Sequence, residues 1–164
     1  MKHRSNGRVM SVLLAVVLAI LSSSGCARKD SVPDIVIAKD ASWHERAAAA
    51  EIRRYFYLRT GDLPALREAE SFSRIPPGAV AILEKGGTFA RGLDDAVSAS
   101  KIAALGSEDY WLKAAPHRSG QLVIVAGGSG PAVLYGAYQL AEKLGVRFFL
   151  EGDIVPDGTV ENLS

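Results

Sequence analysis

The stretch QLVIVAGGSGPAVLYGAYQLAEKLG, residues 121–145, decides how the fold is interpreted. Its first six residues are mostly apolar and β-branched, which predicts a buried strand. Pro131 then stands at a first helical position, and apolar residues recur at helical spacing as far as Leu144, just before Gly145. The stretch therefore predicts a strand, a glycine turn and a helix. We expect the helix to pack on a sheet through Leu134, Ala137, Tyr138 and Ala141.

A second strand and helix precede this stretch. DIVIA, residues 34–38, predicts a buried strand. Ser42 and Glu45 have the spacing of a capping box, and Gly61 provides a helix stop. The core stripe of this helix is predicted to be Ala48, Ile52, Tyr55 and Phe56.

The remaining segments predict further extended structure. Turn-rich residues 62–78 are interpreted as a connection leading to the strand AVAIL, residues 79–83. Residues 84–107 predict a loop with one short helix. EDYWLKAA and QLVIVA flank a turn and predict a hairpin, and VRFFL and DIVP are short extended pieces. Because adjacent strands lack a helix between them, we expect an α+β fold: a mixed β-sheet with two main helices on one face.

The N-terminal segment is typical of a secretory signal. Lys2, Arg4 and Arg8 flank an apolar run over residues 9–21 that is short for a membrane span. SSSGCA resembles a bacterial lipobox, which implies that Cys26 becomes the lipidated first residue of a membrane-anchored lipoprotein on the periplasmic or extracellular face. Ordinary secretion and an uncleaved anchor remain open alternatives.

The predicted organisation has four parts. Residues 1–25 form the signal peptide, 26–33 a tether, 34–156 the α+β domain, and 157–164 a short exit from it. Cys26 is the sole cysteine of the chain, so no disulfide framework is expected. Removing the signal would remove three basic residues and no acidic ones. The resulting near balance of charge provides no basic footprint for nucleic acid.

The glycine turn does not match a nucleotide-binding motif. Counting from Gly127, the Walker positions for Gly-Lys-Ser/Thr hold Ala132, Val133 and Leu134. A dinucleotide fingerprint would need a small residue where Val133 stands. We therefore expect no cofactor and interpret the glycines as a tight turn.

Ser129 stands in a sequence that nearly spells the nucleophile elbow G-x-S-x-G, with Pro131 in place of the last glycine. That arrangement needs an acid and then a histidine downstream. The histidines are His3, His44 and His117, all upstream. Ser129 is therefore interpreted as a helix N-cap, not as a nucleophile.

His44 and Glu45 begin a metal-binding pattern, HExxH, but Ala48 occupies the position of the second histidine. One imidazole does not make a zinc site, so no metal is expected. Both residues are interpreted as solvated residues of a first helical turn, where a carboxylate is favoured by the helix dipole.

Glycoside hydrolysis requires two carboxyl groups across the scissile bond. The candidates are Asp94 with Asp95 and Glu108 with Asp109. Neighbours on a strand point to opposite faces, so we expect Glu108 and Asp109 not to converge. Both pairs are expected to lie at a solvated edge.

Four aromatic residues could form a platform on which a sugar stacks: Trp43, Trp111, Phe148 and Phe149. In a domain of this size, however, large aromatic side chains most often supply core area. We therefore expect these four to pack in the core.

The ordered motifs of residues 34–156 resemble a small α+β domain that precedes the catalytic barrel in bacterial α-glucuronidases and β-N-acetylhexosaminidases. The resemblance rests on a strand with Tyr110, a second strand ending at Gly127, a turn near Pro131, and the helix motif Leu134-Tyr135-Gly136. AAAAEIRRYFYLRTGDLP, with its Thr60-Gly61 turn, is similar to the first helix of those domains. GVRFFLEGDIVP is similar to their exit into the barrel.

This resemblance implies that the catalytic carboxylates of such glycoside hydrolases lie in the barrel, so no catalytic residue is expected in this chain. Two functional classes are favoured, and an enzyme in its own right is the third alternative. The first is a non-catalytic accessory domain of a polysaccharide-degrading enzyme, truncated or split from its barrel. The second is a free-standing surface lipoprotein that binds a glycan or a protein partner.

Overall fold

A computed structural model describes residues 32–93 and 99–157. The predicted signal peptide, Cys26, Asp94 and Asp95 lie outside these residues. The strands are β1 Ile35–Ala38, β2 Leu66–Ala69, β3 Val80–Glu84, β4 Tyr110–His117, β5 Gly120–Gly127, β6 Arg147–Phe149 and β7 Gly152–Ile154. The helices are α1 Trp43–Thr60, α2 Thr88–Arg91, α3 Ala99–Ala103 and α4 Gly130–Lys143, with a 3-10 turn at Phe72–Arg74.

The main sheet is mixed, as the sequence predicts. Its strand order is β2-β1-β3-β5-β4. The first four strands in this order are mutually parallel, and β4 pairs antiparallel with β5 through the predicted hairpin. Strands β6 and β7 form a separate antiparallel hairpin after α4.

The two long helices lie on one face of the sheet, which confirms the predicted α+β arrangement. Helices α1 and α4 pack on each other and share a core with the sheet residues Ile35, Ile37, Val80, Ile82 and Val125. The opposite face is covered by short segments. Phe72 of the 3-10 turn, Phe89 of α2 and Ile102 of α3 pack there on Val36, Leu83, Leu122 and Ile124.

Helix α1 follows its sequence pattern. Ser42 and Glu45 form the predicted capping box, and Gly61 ends the helix with a left-handed φ of 77°. The predicted stripe is buried, since Ala48, Ile52, Tyr55 and Phe56 are all nearly inaccessible to solvent. The bounds and the core stripe of this helix therefore follow from its caps and its periodicity.

Helix α4 has the predicted length, and its predicted buried face is confirmed at Ala137 and Ala141 but wrong at Tyr138. Leu134 is half-buried and Tyr138 is 37% exposed, whereas Val133 and Leu140 are in the core. Gly136 faces the sheet so closely that an added Cβ would lie 3.0 Å from Val125 Cγ1. The helix therefore approaches the sheet at this glycine, with Leu134 packed at the margin of the core.

Strand β2 was not predicted, because residues 62–78 were interpreted as a connection. Its sequence LREA is mostly polar, and three of its four residues are exposed. As an edge strand it pairs only with β1, and ion pairs occupy its side chains: Arg67 with Asp34, and Glu68 with Arg46. Charged side chains on an edge strand discourage pairing with a further strand. For this reason β2 lacks the alternating hydrophobic pattern that would have predicted it.

Residues 84–107 contain two short helices in the described part, where one was expected.

Candidate functional site

The glycine turn between β5 and α4 is closed by protein atoms. A Cβ added at Gly127 would lie 2.3 Å from Val133 N, and one at Gly128 would lie 1.8 Å from the Gly106 carbonyl oxygen. At Gly130 an added Cβ would lie 2.2 Å from His44 Nδ1. We call Gly127–Gly130 the glycine joint. Its glycines are required for close packing, and the packed atoms occupy the space next to the backbone that a phosphate would need.

Ser129 lies in the joint as the N-cap of α4, which confirms its interpretation. Its backbone is extended, and its side-chain oxygen accepts a long hydrogen bond of 3.5 Å from Ala132 N. The hydroxyl also donates to the Ser107 carbonyl. The hydroxyl proton is therefore held by a backbone acceptor rather than by a general base.

His44 and Glu45 have different environments, and the expectation that both are solvated is wrong for Glu45. His44 packs on Gly130, with the Trp43 ring 5.0 Å away in an edge-to-face contact. Glu45 is only 5% exposed. Its carboxylate accepts hydrogen bonds from Ser42 N at 2.6 Å and from Glu84 N at 3.0 Å.

Glu45 therefore links the start of α1 to the end of β3. Two backbone N–H donors compensate for burying its charge. Within residues 32–93 and 99–157, no group of three or more His, Cys, Asp or Glu residues could hold a metal ion.

Glu108 and Asp109 lie in the turn before β4, not on a strand as expected, because the strand begins at Tyr110. Both side chains are exposed, in agreement with the expected solvation. The Asp109 carboxylate accepts a hydrogen bond from Gly106 N at 2.8 Å, so it stabilises the turn against which Gly128 packs.

The aromatic residues do not all enter the core. Trp111 and Phe148 are half-buried, but Trp43 is 71% exposed and Phe149 is 56% exposed, so core packing was wrong for these two. Trp43 opens α1, whereas Phe148 contacts Tyr55, twelve residues or about 18 Å further along this helix. The four aromatic residues therefore do not make one platform.

A shallow cleft lies between the two long helices and the β6–β7 hairpin. It is lined by Glu51, Arg54, Tyr55, Tyr138, Phe148 and Asp153. Phe148 makes edge-to-face contacts with Tyr55 and with Tyr138, at ring-centroid distances of 5.6 Å and 5.1 Å. Aromatic packing thus fixes the hairpin against both helices.

Polar contacts join the same elements. The Tyr55 hydroxyl donates to the Asp153 carboxylate. The Arg54 guanidinium lies 4.9 Å from the centroid of the Tyr55 ring and 3.6 Å from Asp153. Burial, followed by the hydrogen bond to Asp153, raises the pKa of Tyr55. Burial also raises the pKa of Tyr138, with a further contribution from Glu51 and Asp153. Both tyrosines are therefore neutral donors around this cleft at physiological pH.

Arg59 completes the attachment of the hairpin. Its side chain is buried at the end of α1, where Nε donates to the Leu144 carbonyl at 2.7 Å and Nη1 donates to the Pro156 carbonyl. We call Tyr55, Arg59, Phe148 and Asp153 the hairpin latch. Sequence reasoning missed the latch because its members are up to 98 residues apart. The one local signal is a lone arginine in the last turn of α1.

The described residues contain no helix long and apolar enough to cross a membrane. No family model matches the chain, and no curated protein matches it.

Proposed function

We propose that this chain is a non-catalytic accessory domain of a secreted carbohydrate-active enzyme, anchored to a membrane through lipid on Cys26. The enzyme would be of the α-glucuronidase or β-N-acetylhexosaminidase type. The observation that carries the proposal is the packing of the glycine joint. Of all segments of the chain, the joint has the sequence most similar to a ligand-binding or catalytic motif. The space beside its glycines is filled by neighbouring backbone and by the His44 ring, which leaves no room there for a ligand.

The residues that carry the family resemblance have structural contacts, which supports the accessory role. Tyr110 begins β4, and its hydroxyl donates to Gln139 of α4 at 2.9 Å. Gly136 allows α4 to approach β5. Thr60 closes the end of α1 by donating to the Phe56 carbonyl at 2.7 Å. In this proposal the motifs that carry the resemblance stabilise the fold, and a separate barrel catalyses glycoside hydrolysis.

Two carboxylates among the described residues, those of Asp153 and Asp109, also have structural partners. Asp153 is bound by Tyr55 and lies beside Arg54, and Asp109 is bound by the Gly106 amide. A glycosidase needs one protonated and one ionised carboxyl converging on a bond. Here each of the two carboxylates is held by a donor of the fold itself, which favours a scaffold role.

The test begins with the lipidated full-length chain, tagged and isolated from its native membrane. We expect the purified chain alone not to hydrolyse aryl glycosides of glucuronic acid or N-acetylglucosamine. A native complex captured under mild detergent should hydrolyse one of them, and Glu108→Gln in the chain should leave that activity unchanged. Turnover by the chain alone that disappears in Glu108→Gln or Asp109→Asn would contradict the proposal.

The anchor is tested separately. Cys26→Ser should release the chain to the soluble fraction or leave it unprocessed, because two or more acyl chains are needed for stable anchoring. Unchanged processing and unchanged partition into detergent in this variant would exclude lipidation at Cys26.

A second candidate function is a free-standing lipoprotein that binds a glycan. The cleft beside the hairpin favours it, because Tyr138 and Phe148 offer ring surface while Glu51, Arg54 and Asp153 offer hydrogen-bonding groups. Inactive native complexes, together with binding of the isolated chain to one glycan that is lost in Tyr138→Ala, would favour this function over the accessory domain.

A further inference from the structure

The exposed apolar side chains are distributed unevenly over the domain. Among the described residues, six large exposed side chains have no polar atom: Leu58, Leu63, Leu66, Phe149, Leu150 and Ile154. We call these six the amino-edge surface. Leu150, in the turn between β6 and β7, is fully exposed at 104%.

All six lie toward the end of the sheet where the parallel strands begin. Leu58 is in the last turns of α1, Leu63 follows that helix, and Leu66 opens β2 opposite Ile35, the first residue of β1. The β6–β7 hairpin follows the end of α4 and is latched to the C-terminal half of α1. Both long helices run back toward this end, because each follows a strand of the parallel set.

The opposite end exposes aromatic residues that have polar atoms. Trp43 opens α1, and Tyr110 opens the antiparallel strand β4. Tyr135 lies in the first half of α4. The indole N–H and the phenol hydroxyls of these residues can remain hydrated. The large exposed side chains without a polar atom therefore lie at the end of the sheet where the parallel strands begin, which we call the amino edge.

The chain enters the domain at this same edge. Val32 packs on the core just before β1 and is only six residues after Cys26. A fully extended chain spans at most about 3.5 Å per residue, so this segment reaches about 20 Å. Lipid on Cys26 would therefore hold the amino edge within about 20 Å of the bilayer.

We propose that the amino-edge surface contacts the phospholipid bilayer and inserts Leu150 and Phe149 at the level of the headgroups. This inference rests on the lipid anchor of the proposed function. The lipid anchor keeps the amino-edge surface close to the bilayer. Transfer of its apolar side chains out of water then favours their contact with lipid. The contact fixes the orientation of the domain, with the glycine joint facing away from the membrane.

The experiment uses the lipidated full-length chain reconstituted in vesicles of phosphatidylethanolamine and phosphatidylglycerol. Cys26 is the sole native cysteine and is blocked by lipid, so an introduced cysteine takes an environment-sensitive fluorophore alone. Leu150→Cys and Leu63→Cys report on the amino edge, and Trp43→Cys is the matched control at the other end. All three side chains are exposed, and circular dichroism checks that each variant folds.

We expect a blue shift and strong quenching by headgroup-level spin-labelled lipids at residues 150 and 63, but neither effect at residue 43. Equal quenching at all three positions, with lipidation confirmed by mass spectrometry, would overturn the bilayer contact while leaving the anchor intact. A label at residue 150 shielded from both lipid and aqueous quenchers would overturn it in favour of a protein partner. An unlipidated native chain would instead remove the anchor on which the inference rests.

Discussion

The two ends of α4 are held in place by opposite means. At the N-terminal end, the glycine joint brings backbone against backbone, and even one added carbon would overlap its neighbours. At the C-terminal end, the hairpin latch uses long side chains from α1 to hold backbone carbonyls and a carboxylate. The joint is therefore sensitive to added atoms, whereas the latch is sensitive to removed atoms.

The comparison shows that a motif-like sequence and the contacts that fix the fold lie in different places. The joint has the motif-like sequence, and the latch has the long-range side-chain contacts. The joint has the more recognisable sequence motif, but its one side chain, Ser129, is hydrogen-bonded to backbone groups. The latch has no recognisable motif, yet three of its members, Tyr55, Phe148 and Asp153, line one cleft together with Glu51 and Arg54. Variants at the two ends measure the contrast directly.

The largest expected effect is at the joint. Gly128→Ala should destabilise the domain by about 3 kcal/mol or more, because the new Cβ would meet the rigid Gly106 carbonyl. Gly106→Ala is the matched control, since its Cβ would meet only the movable carboxylate of Asp109. Urea unfolding of both variants checks this. Equal, small losses would show that the joint can relax.

The latch should respond next to the removal of Arg59. Arg59→Met keeps most of the side-chain volume but leaves the Leu144 and Pro156 carbonyls without this donor, and should cost about 2–3 kcal/mol. Arg53→Met is the control on the same helix, because Arg53 donates to Pro64 at a partly exposed site. Chemical unfolding of the two variants gives the difference. A loss in Arg53→Met as large as in Arg59→Met would contradict a specific role for the latch.

Tyr55→Phe should have a smaller effect, about 1–2 kcal/mol, because Asp153 keeps Arg54 as a neighbour. Since the pKa of Tyr55 is raised in the folded protein, its contribution is complete below the unfolded tyrosine pKa of about 10 and falls as pH rises above it. The variant should therefore lose less stability between neutral and strongly alkaline pH than the wild type. Parallel alkaline profiles for the two proteins would count against this assignment.

The smallest effect is expected at the cap of α4. Ser129→Ala should cost only about 0.5–1 kcal/mol, since its bond to Ala132 N is long. Ser42→Ala, which breaks a reciprocal capping box, should cost more, about 1–2 kcal/mol. Thermal unfolding of both variants provides the comparison. A loss of any measured activity in Ser129→Ala without loss of stability would restore the nucleophile hypothesis.

Much of the fold was predictable because it depends on local signals. Caps, periodicity and β-branched runs located α1, α4, β1, β3 and the β4–β5 hairpin. Strand β2 was missed because an edge strand with exposed charges has no hydrophobic pattern. On α4 the prediction was wrong for Tyr138, because apolar spacing does not show that the helix meets the sheet at Gly136, which has no side chain.

The candidate site was predictable only in part. Ser129 was identified as a cap from its position before Pro131. The burial of Glu45 was missed because its second donor, the Glu84 amide, comes from a strand 39 residues away. The latch depends on contacts across most of the chain, and no spacing rule predicts which arginine or tyrosine will meet a carbonyl or carboxylate so distant in sequence.

The arrangement of β4, β5 and α4 has a consequence for the order of folding. Residues 110–143 form a hairpin and the helix that packs on it, and the Tyr110–Gln139 contact between them spans 29 residues. Pairing of β1 with β3, by contrast, joins Ile35 to Val80, 45 residues apart. Loops of that length close late and slow the formation of parallel sheets. We therefore expect the C-terminal half to serve as the template on which β3, β1 and finally β2 assemble. Pulsed hydrogen exchange during refolding should protect the amides of β5 before those of β1.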